Sequence, residues 1–280
     1  MKKILLFALL SAMVESCAPK FSSTINTKQP PLAQTDYVLV LQREDQFTND
    51  GIEIGTISAG DNGFSVNCSY NEVLARLKDL ARQNGANLIK ITEQIDPNAW
   101  STCVRLTAKI YKVPNFRLHE KQIEWSANRR LTWDDFKGMP KTMSNTNSAA
   151  QTYCGFSFET NRVTAFKKVK IFTKNSFDCY LSWVRPDQMT RLDLLEHEQV
   201  HFDLSEVYAR RLRKNLVEMN LTLNNLTTGA DVVFKAVSKE YLERQELYEA
   251  ETRYGLDKEV QHMWTKEVAN EIEELSSWTE

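Results

Sequence analysis

The chain has 280 residues, a formal net charge of −2, 42% hydrophobic residues and 26% charged residues. These are globular proportions, and they exclude a wholly disordered or fibrous chain. A near-neutral balance leaves no basic excess to neutralise phosphates, so no nucleic-acid partner is expected, and no stretch reaches the ~20 apolar residues of a membrane span.

Met1-Lys2-Lys3 and the apolar run from Ile4 to Val14 have the charged start and short greasy core of a signal peptide. Cys17 follows at once. That arrangement resembles the cleavage site of bacterial lipoproteins, in which the cysteine becomes the lipidated first residue, although Glu15 stands where small residues are preferred. The resemblance implies a signal segment over 1–17 and an exported lipoprotein of the cell envelope, periplasmic or at the outer membrane, held on a membrane through lipidated Cys17. Residues 18–35 are rich in Ser, Thr, Asn, Gln and Pro, the composition of a flexible tether.

Four other cysteines remain: Cys68, Cys103, Cys154 and Cys179. An even remainder in an oxidising compartment suggests two disulfides. Cys68–Cys103 and Cys154–Cys179 keep each pair within one proposed domain, and each bridge is worth roughly 3–4 kcal/mol by chain entropy. No CxxC occurs, so neither a thioredoxin-like site nor a zinc ribbon has support.

Residues 36–114 read as a small ββαββ domain. Tyr37 to Leu41 and Ile52 to Ile57 are β-rich. Tyr70 to Gln83 repeats apolar residues at helical steps, with Ser69 or Asn71 to cap it and Asn84-Gly85 to close it. Ala86 to Ile95 and Cys103 to Val113 give two more strands. No cluster of catalytic residue types occurs there, so the domain reads as a spacer or as the docking module for an envelope protein partner. Its Gly85-Ala86-Asn87 junction and paired cysteines loosely resemble small domains of envelope stress-sensor lipoproteins.

Residues 115–280 read as a second α+β domain, strands first and then three helices. Leu131 to Gly138 enters an acidic-aromatic turn through a short strand, and 144–148 is a polar loop. Thr152 to Phe158, Val169 to Phe172 and Cys179 to Val184 follow as strands. From Arg191 the period is helical, with breaks expected at Thr227-Thr228-Gly229 and at Gly255. The fold class is therefore α+β.

His197-Glu198-Gln199-Val200-His201 is an HExxH motif. Its chance expectation in this composition is about 0.005 matches. Residues four apart share a helix face, so both imidazoles can grip one ion, and neutral imidazole suits Zn²⁺. Glu198 can take a proton from zinc-bound water and return it to a leaving group. A catalytic zinc needs a third protein ligand. His119, His262 and the carboxylates of the helix from Asp231 to Tyr254 are available. If Phe234, Val237, Tyr241 and Tyr248 define that helix's inner face, Glu251 falls about 60° from its centre and Glu249 about 100°. Glu251 is the favoured third ligand, with Glu249 behind it. Tyr254 could donate a hydrogen bond to the oxyanion of a tetrahedral intermediate.

Several stretches from about Trp125 to Trp264 resemble predicted secreted zinc-dependent proteases of bacteria. They are Leu131 to Gly138, Ser148-Ala149-Ala150, Ser182-Trp183-Val184, Leu195 to Asp203, Tyr248-Glu249 with Glu251-Thr252, and Gln261 with Trp264. The resemblance implies a zincin-like domain holding zinc. The chain departs from that family at Val200, where Gly is usual, at Tyr254, where His is frequent, and at Glu249, where Asp is frequent. An acidic residue shortly before Tyr254-Gly255 also resembles the third-ligand region of aspartate-type zincins.

The sequence thus predicts an envelope zinc metallopeptidase: His197, His201 and Glu251 on the metal, Glu198 and Tyr254 catalytic, and a peptide or protein as substrate. The alternative is a non-catalytic metal-binding sensor or scaffold lipoprotein. An amidase acting on peptidoglycan stem peptides is a third reading, which no residue selects.

Overall fold

The computed structural model describes residues 19–61, 68–98, 100–140, 148–160, 169–222 and 224–279. The signal segment with Cys17, most of the 144–148 loop and the side chain of Thr227 lie outside the described residues. The chain divides into two units, Met1–His119 and Glu120–Glu280, so the boundary falls five residues beyond the expected one. Among the described residues, no helix is long and apolar enough to cross a membrane.

The first unit is a five-stranded sheet with one helix. Its strands are β1 (Lys20–Ile25), β2 (Leu39–Leu41), β3 (Ile52–Gly60), β4 (Leu88–Ile95) and β5 (Arg105–Lys112), in the order β1-β3-β5-β4-β2. All pairs are antiparallel except β2 with β4. Helix α1 (Tyr70–Gln83) lays Val73, Leu77 and Ala81 on Ile54, Ile57, Ile89, Ile91 and Ile110. It starts at Ser69, whose backbone N–H donates to Glu72, and ends at Gly85, whose φ of 77° is cheap only for glycine.

The tether expectation is corrected here, because Lys20–Ile25 pairs in full with β3. Polar composition hid Phe21 and Ile25, which pack against the core, and Gly55, which lets β1 approach. A Cβ at Gly55 would lie 2.1 Å from the Thr24 carbonyl oxygen. The Cys68–Cys103 disulfide is present, a bond that persists in oxidising, extracytoplasmic compartments.

The second unit is α+β with its strands first and its helices last. β6 (Gln122–Glu124), β8 (Cys154–Thr160) and β9 (Ile171–Asp178) form one antiparallel sheet in the order β6-β9-β8, and β7 (Ala150–Gln151) pairs with β10 (Trp183–Val184). Then come α2 (Leu192–Glu218), α3 (Leu226–Thr252) and α4 (Lys258–Glu274). Val200, Leu204, Val207, Tyr208, Leu212 and Leu216 of α2 meet Val237 and Tyr248 of α3 and Trp264 and Val268 of α4 in one core.

Several local expectations change. Leu131 to Gly138 holds a 3-10 turn at Trp133–Asp135 rather than a strand, because the Asp135 carboxylate accepts from both the Thr132 N–H and hydroxyl. Most of the stretch from Cys179 to Val184 is a turn in which Asp178 accepts from the N–H of Tyr180 and Leu181. The first helix break falls before Asn225, at left-handed Asn220 (φ 49°), and not at Thr227-Thr228-Gly229, which α3 absorbs. Asn225 turns the chain by accepting from Thr222.

The Cys154–Cys179 bridge is also corrected, since both thiols are free. Cys154 stands opposite Phe177, which makes Cys179 its diagonal neighbour. Such neighbours lie about 7–8 Å apart, beyond disulfide reach.

Candidate metal centre

α2 carries both histidines of the motif on one face. No Gly or Pro interrupts it, and it is clamped from several sides. Gln199 accepts from the Leu131 N–H and donates to Asp203, and Asp203 accepts from the Trp125 indole. At its start, Arg191 and Lys258 both pair with Asp193. Arg191 occupies the cap position without a side-chain cap bond.

The two imidazoles face each other one turn apart, Nε2 to Nε2 at 3.3 Å. Glu249 of α3 closes the triangle: one carboxylate oxygen lies 3.3 Å from His197 Nε2 and the other 3.2 Å from His201 Nε2. Among the described residues these three side chains form the group able to hold a metal ion. The ring of Tyr248, fully buried, stacks on His197 at 4.8 Å and meets His201 edge-on at 4.9 Å.

Each histidine is held from behind. His197 Nδ1 faces the amide oxygen of Gln261 at 3.0 Å, and His201 Nδ1 faces that of Gln245. Donation from Nδ1 leaves both Nε2 atoms as lone pairs. Oε2 of Glu249 is buried, and no hydrogen bond satisfies it among the described residues. Three groups that can offer lone pairs therefore converge on one place. A tetrahedral zinc with ligand bonds of 2.0–2.1 Å separates its ligand atoms by about 3.3–3.4 Å, which is the separation of the two Nε2 atoms, and the Glu249 carboxylate meets each of them through a different oxygen. The donor set, two imidazoles and one carboxylate, suits zinc.

The charges agree with that geometry. Burial works against a charged His201, but its hydrogen bond with Glu249 and the Glu198 and Glu249 charges outweigh burial and raise its pKa. Burial likewise favours neutral Glu249, yet hydrogen bonds from His197 and His201 and their charge hold it down at about 2.

Glu251, the expected third ligand, turns away: its carboxylate accepts from the Trp264 indole of α4 at 2.9 Å. The angular estimate centred α3 on one inner face, whereas α3 has two. The row Tyr241, Gln245, Tyr248 and Glu249 looks at α2 and the sheet, and Glu251 looks at α4. His119 belongs to the first unit and pairs with Asp50. His262 is exposed on α4.

Glu198 is 4% exposed. Among the described residues no hydrogen bond or ion pair occupies its carboxylate, which is close enough to act on the charge of His201. Beside His201 and Glu249 opens a cleft of about 480 Å³, walled by Thr152, Tyr153, Cys154, Tyr241, Leu242 and Tyr254 among others. Tyr254 is 73% exposed at its rim. It sits in a run of three left-handed residues, Arg253 (φ 51°), Tyr254 (φ 58°) and Gly255 (φ 75°). Two of them are not glycine, at roughly 1–2 kcal/mol each. Such strain persists where the surroundings impose it, and it gathers at functional sites.

Sequence reasoning missed Gln245, and it named Gln261 and Gly255 only within stretches of resemblance, without a role at the histidines. A glutamine carries no signal of its own until the helix bearing it has been docked.

Residues 174–255 match the model of a family described as bacterial protein of unknown function, DUF922. The matched stretch runs from β9 to Gly255 and holds all three converging side chains. No curated protein and no solved structure matches the chain.

Proposed function

We propose that the second unit is a zinc-dependent peptidase of the bacterial envelope. The observation that carries this reading is the triangle of His197 Nε2, His201 Nε2 and Glu249, with both Nδ1 atoms turned onto amide oxygens. His197, His201 and Glu249 would hold the ion. When bound, zinc supplies Lewis acidity that brings the pKa of a water near neutrality and polarises a carbonyl.

The chain's own groups do the rest. Glu198, buried and without a fixed partner, accepts the proton of the attacking water and hands it to the departing amine. Tyr254 reaches over the cleft rim and donates from its phenol to the developing oxyanion. The cleft walls of Tyr153, Leu242 and Tyr254, exposed at 54%, 59% and 73%, favour a peptide with a large apolar side chain beside the scissile bond. The signal-like start and Cys17 support export and lipid anchoring at the envelope, with the first unit as the module for an envelope partner.

The test is Glu198→Gln. Zinc content, read by elemental analysis, should stay near one per chain while cleavage of a peptide library disappears. Unchanged cleavage removes Glu198 from the chemistry. Stoichiometric zinc with no cleavage by the wild type favours the metal-binding sensor instead.

A further inference from the structure

We infer that Gln245 and Gln261 are positioning residues for the metal, locking His201 and His197 in the tautomer whose bare Nε2 atoms face Glu249. This deepens the metal-site reading above and rests on it. An imidazole ligates through a nitrogen that carries no proton, and the hydrogen bond of its other nitrogen decides which one that is.

At Gln245 the orientation of the amide is set by the backbone. Its Nε2 donates to the His201 carbonyl at 3.0 Å, which turns Oε1 onto His201 Nδ1. An amide oxygen only accepts, so Nδ1 holds the proton. At Gln261, Oε1 faces His197 Nδ1 at 3.0 Å and lies 2.9 Å from the Tyr248 hydroxyl, whose single proton is shared with the His197 carbonyl at 3.1 Å. The Nε2 of Gln261 is buried without a hydrogen-bond partner among the described residues. A buried amide that leaves its own donor unmatched costs free energy. This orientation keeps its oxygen on the ligand ring. The reverse orientation would set a donor against Nδ1, drive the proton to Nε2 and block the ion.

The two amides come from different helices, α3 and α4. The two rings of α2 become ligands only when both helices are docked. Each amide is also neutral, so it orients its imidazole without adding a charge to the buried site.

The test measures zinc affinity of the full chain by competition with a chromophoric chelator. Gln245→Met and Gln261→Met keep side-chain size without an acceptor and should each weaken zinc about 10–100-fold. Gln261→Glu restores an acceptor and should restore affinity. Histidine ¹⁵N spectra of the metal-free wild type at alkaline pH need no variant, and they should show Nδ1–H on both residues. A Nε2–H tautomer at either histidine overturns the inference, as do folded Met variants that bind zinc like the wild type. A wild-type chain that takes up no zinc sinks both readings, whereas zinc binding that ignores both Met substitutions sinks this one alone.

Discussion

Gly255→Ala separates the strain of the α3 terminus from the placement of a ligand. Gly255 has φ +75°, and a Cβ there would lie 3.0 Å from Cγ of His197, 3.1 Å from Nδ1 and 3.2 Å from Cβ. Ordinary carbon contacts fall at about 3.5–4.0 Å. Two costs follow. The left-handed backbone costs an L residue about 1–2 kcal/mol, with or without metal. The overlap costs about 1–3 kcal/mol as overpacking, and it eases only if the turn or the His197 ring moves. Ring movement breaks the bond to Gln261 and carries Nε2 off Glu249. Unfolding stability should therefore fall by about 2–5 kcal/mol. Zinc affinity should fall about tenfold, the equivalent of 1.4 kcal/mol of the overlap. Urea unfolding in the presence of chelator gives the first quantity, and chelator competition gives the second. Gly155→Ala is the control, since no heavy atom lies within 4 Å of its Cβ and its φ is not left-handed. Wild-type zinc affinity in a folded Gly255→Ala chain would refute the argument, because the ring would then yield without consequence.

Four further outcomes are expected. Glu249→Ala should lower zinc affinity by more than the 10–100-fold of an outer partner, while Glu251→Ala should leave affinity unchanged and cost about 1 kcal/mol through the lost Trp264 bond, both read by chelator competition and urea unfolding. The pH dependence of metal-free stability should carry the ion pair of His201 and Glu249. Glu249 is held below its usual 4.5, at about 2, so its contribution is complete above 4.5 and fades as pH falls toward 2. His201 is raised above 6.5, so its contribution is complete below 6.5 and fades as pH climbs through the raised value. Subtracting the curve of Glu249→Gln should leave a plateau between those limits, and a flat difference would disprove the pair. Reducing Cys68–Cys103, which closes a separation of 35 residues, should cost about 3–4 kcal/mol. Burial pushes the thiols of Cys154 and Cys179 up to about 12, so a thiol reagent should label them slowly until the chain is denatured.

What could be read in the sequence was whatever repeats along one element. α1 is found at Tyr70–Gln83 as expected, because its apolar steps and its closing glycine are local signals. The pair His197 and His201 shares a face because that is a property of one helix. What escaped depends on a partner. β1 is a strand only because β3 offers Gly55 to it. The Cys154–Cys179 pairing looked reasonable by count but fails on register, which no count contains. Glu251 and Glu249 differ by two residues on one helix, and the choice between them depends on where α2 and α4 lie around α3.

The division of labour among the three helices explains why a partial family match can carry the donors and still miss their control. The matched residues 174–255 include His197, His201, Glu249, Gln245 and Gly255. Gln261, whose amide oxygen faces His197 Nδ1, lies on α4 beyond that stretch. α4 is tied to α2 and α3 by Arg211 and Arg244 on Glu271, by Arg210 on the Ile272 carbonyl and by the Trp264 indole on Glu251. Each of those contacts holds Gln261 in place without touching the ligands. A change far along α4 would thus reach the metal through the orientation of one amide. On the proposed zinc reading, the donors define what can bind, and the packing of the last helix sets how tightly.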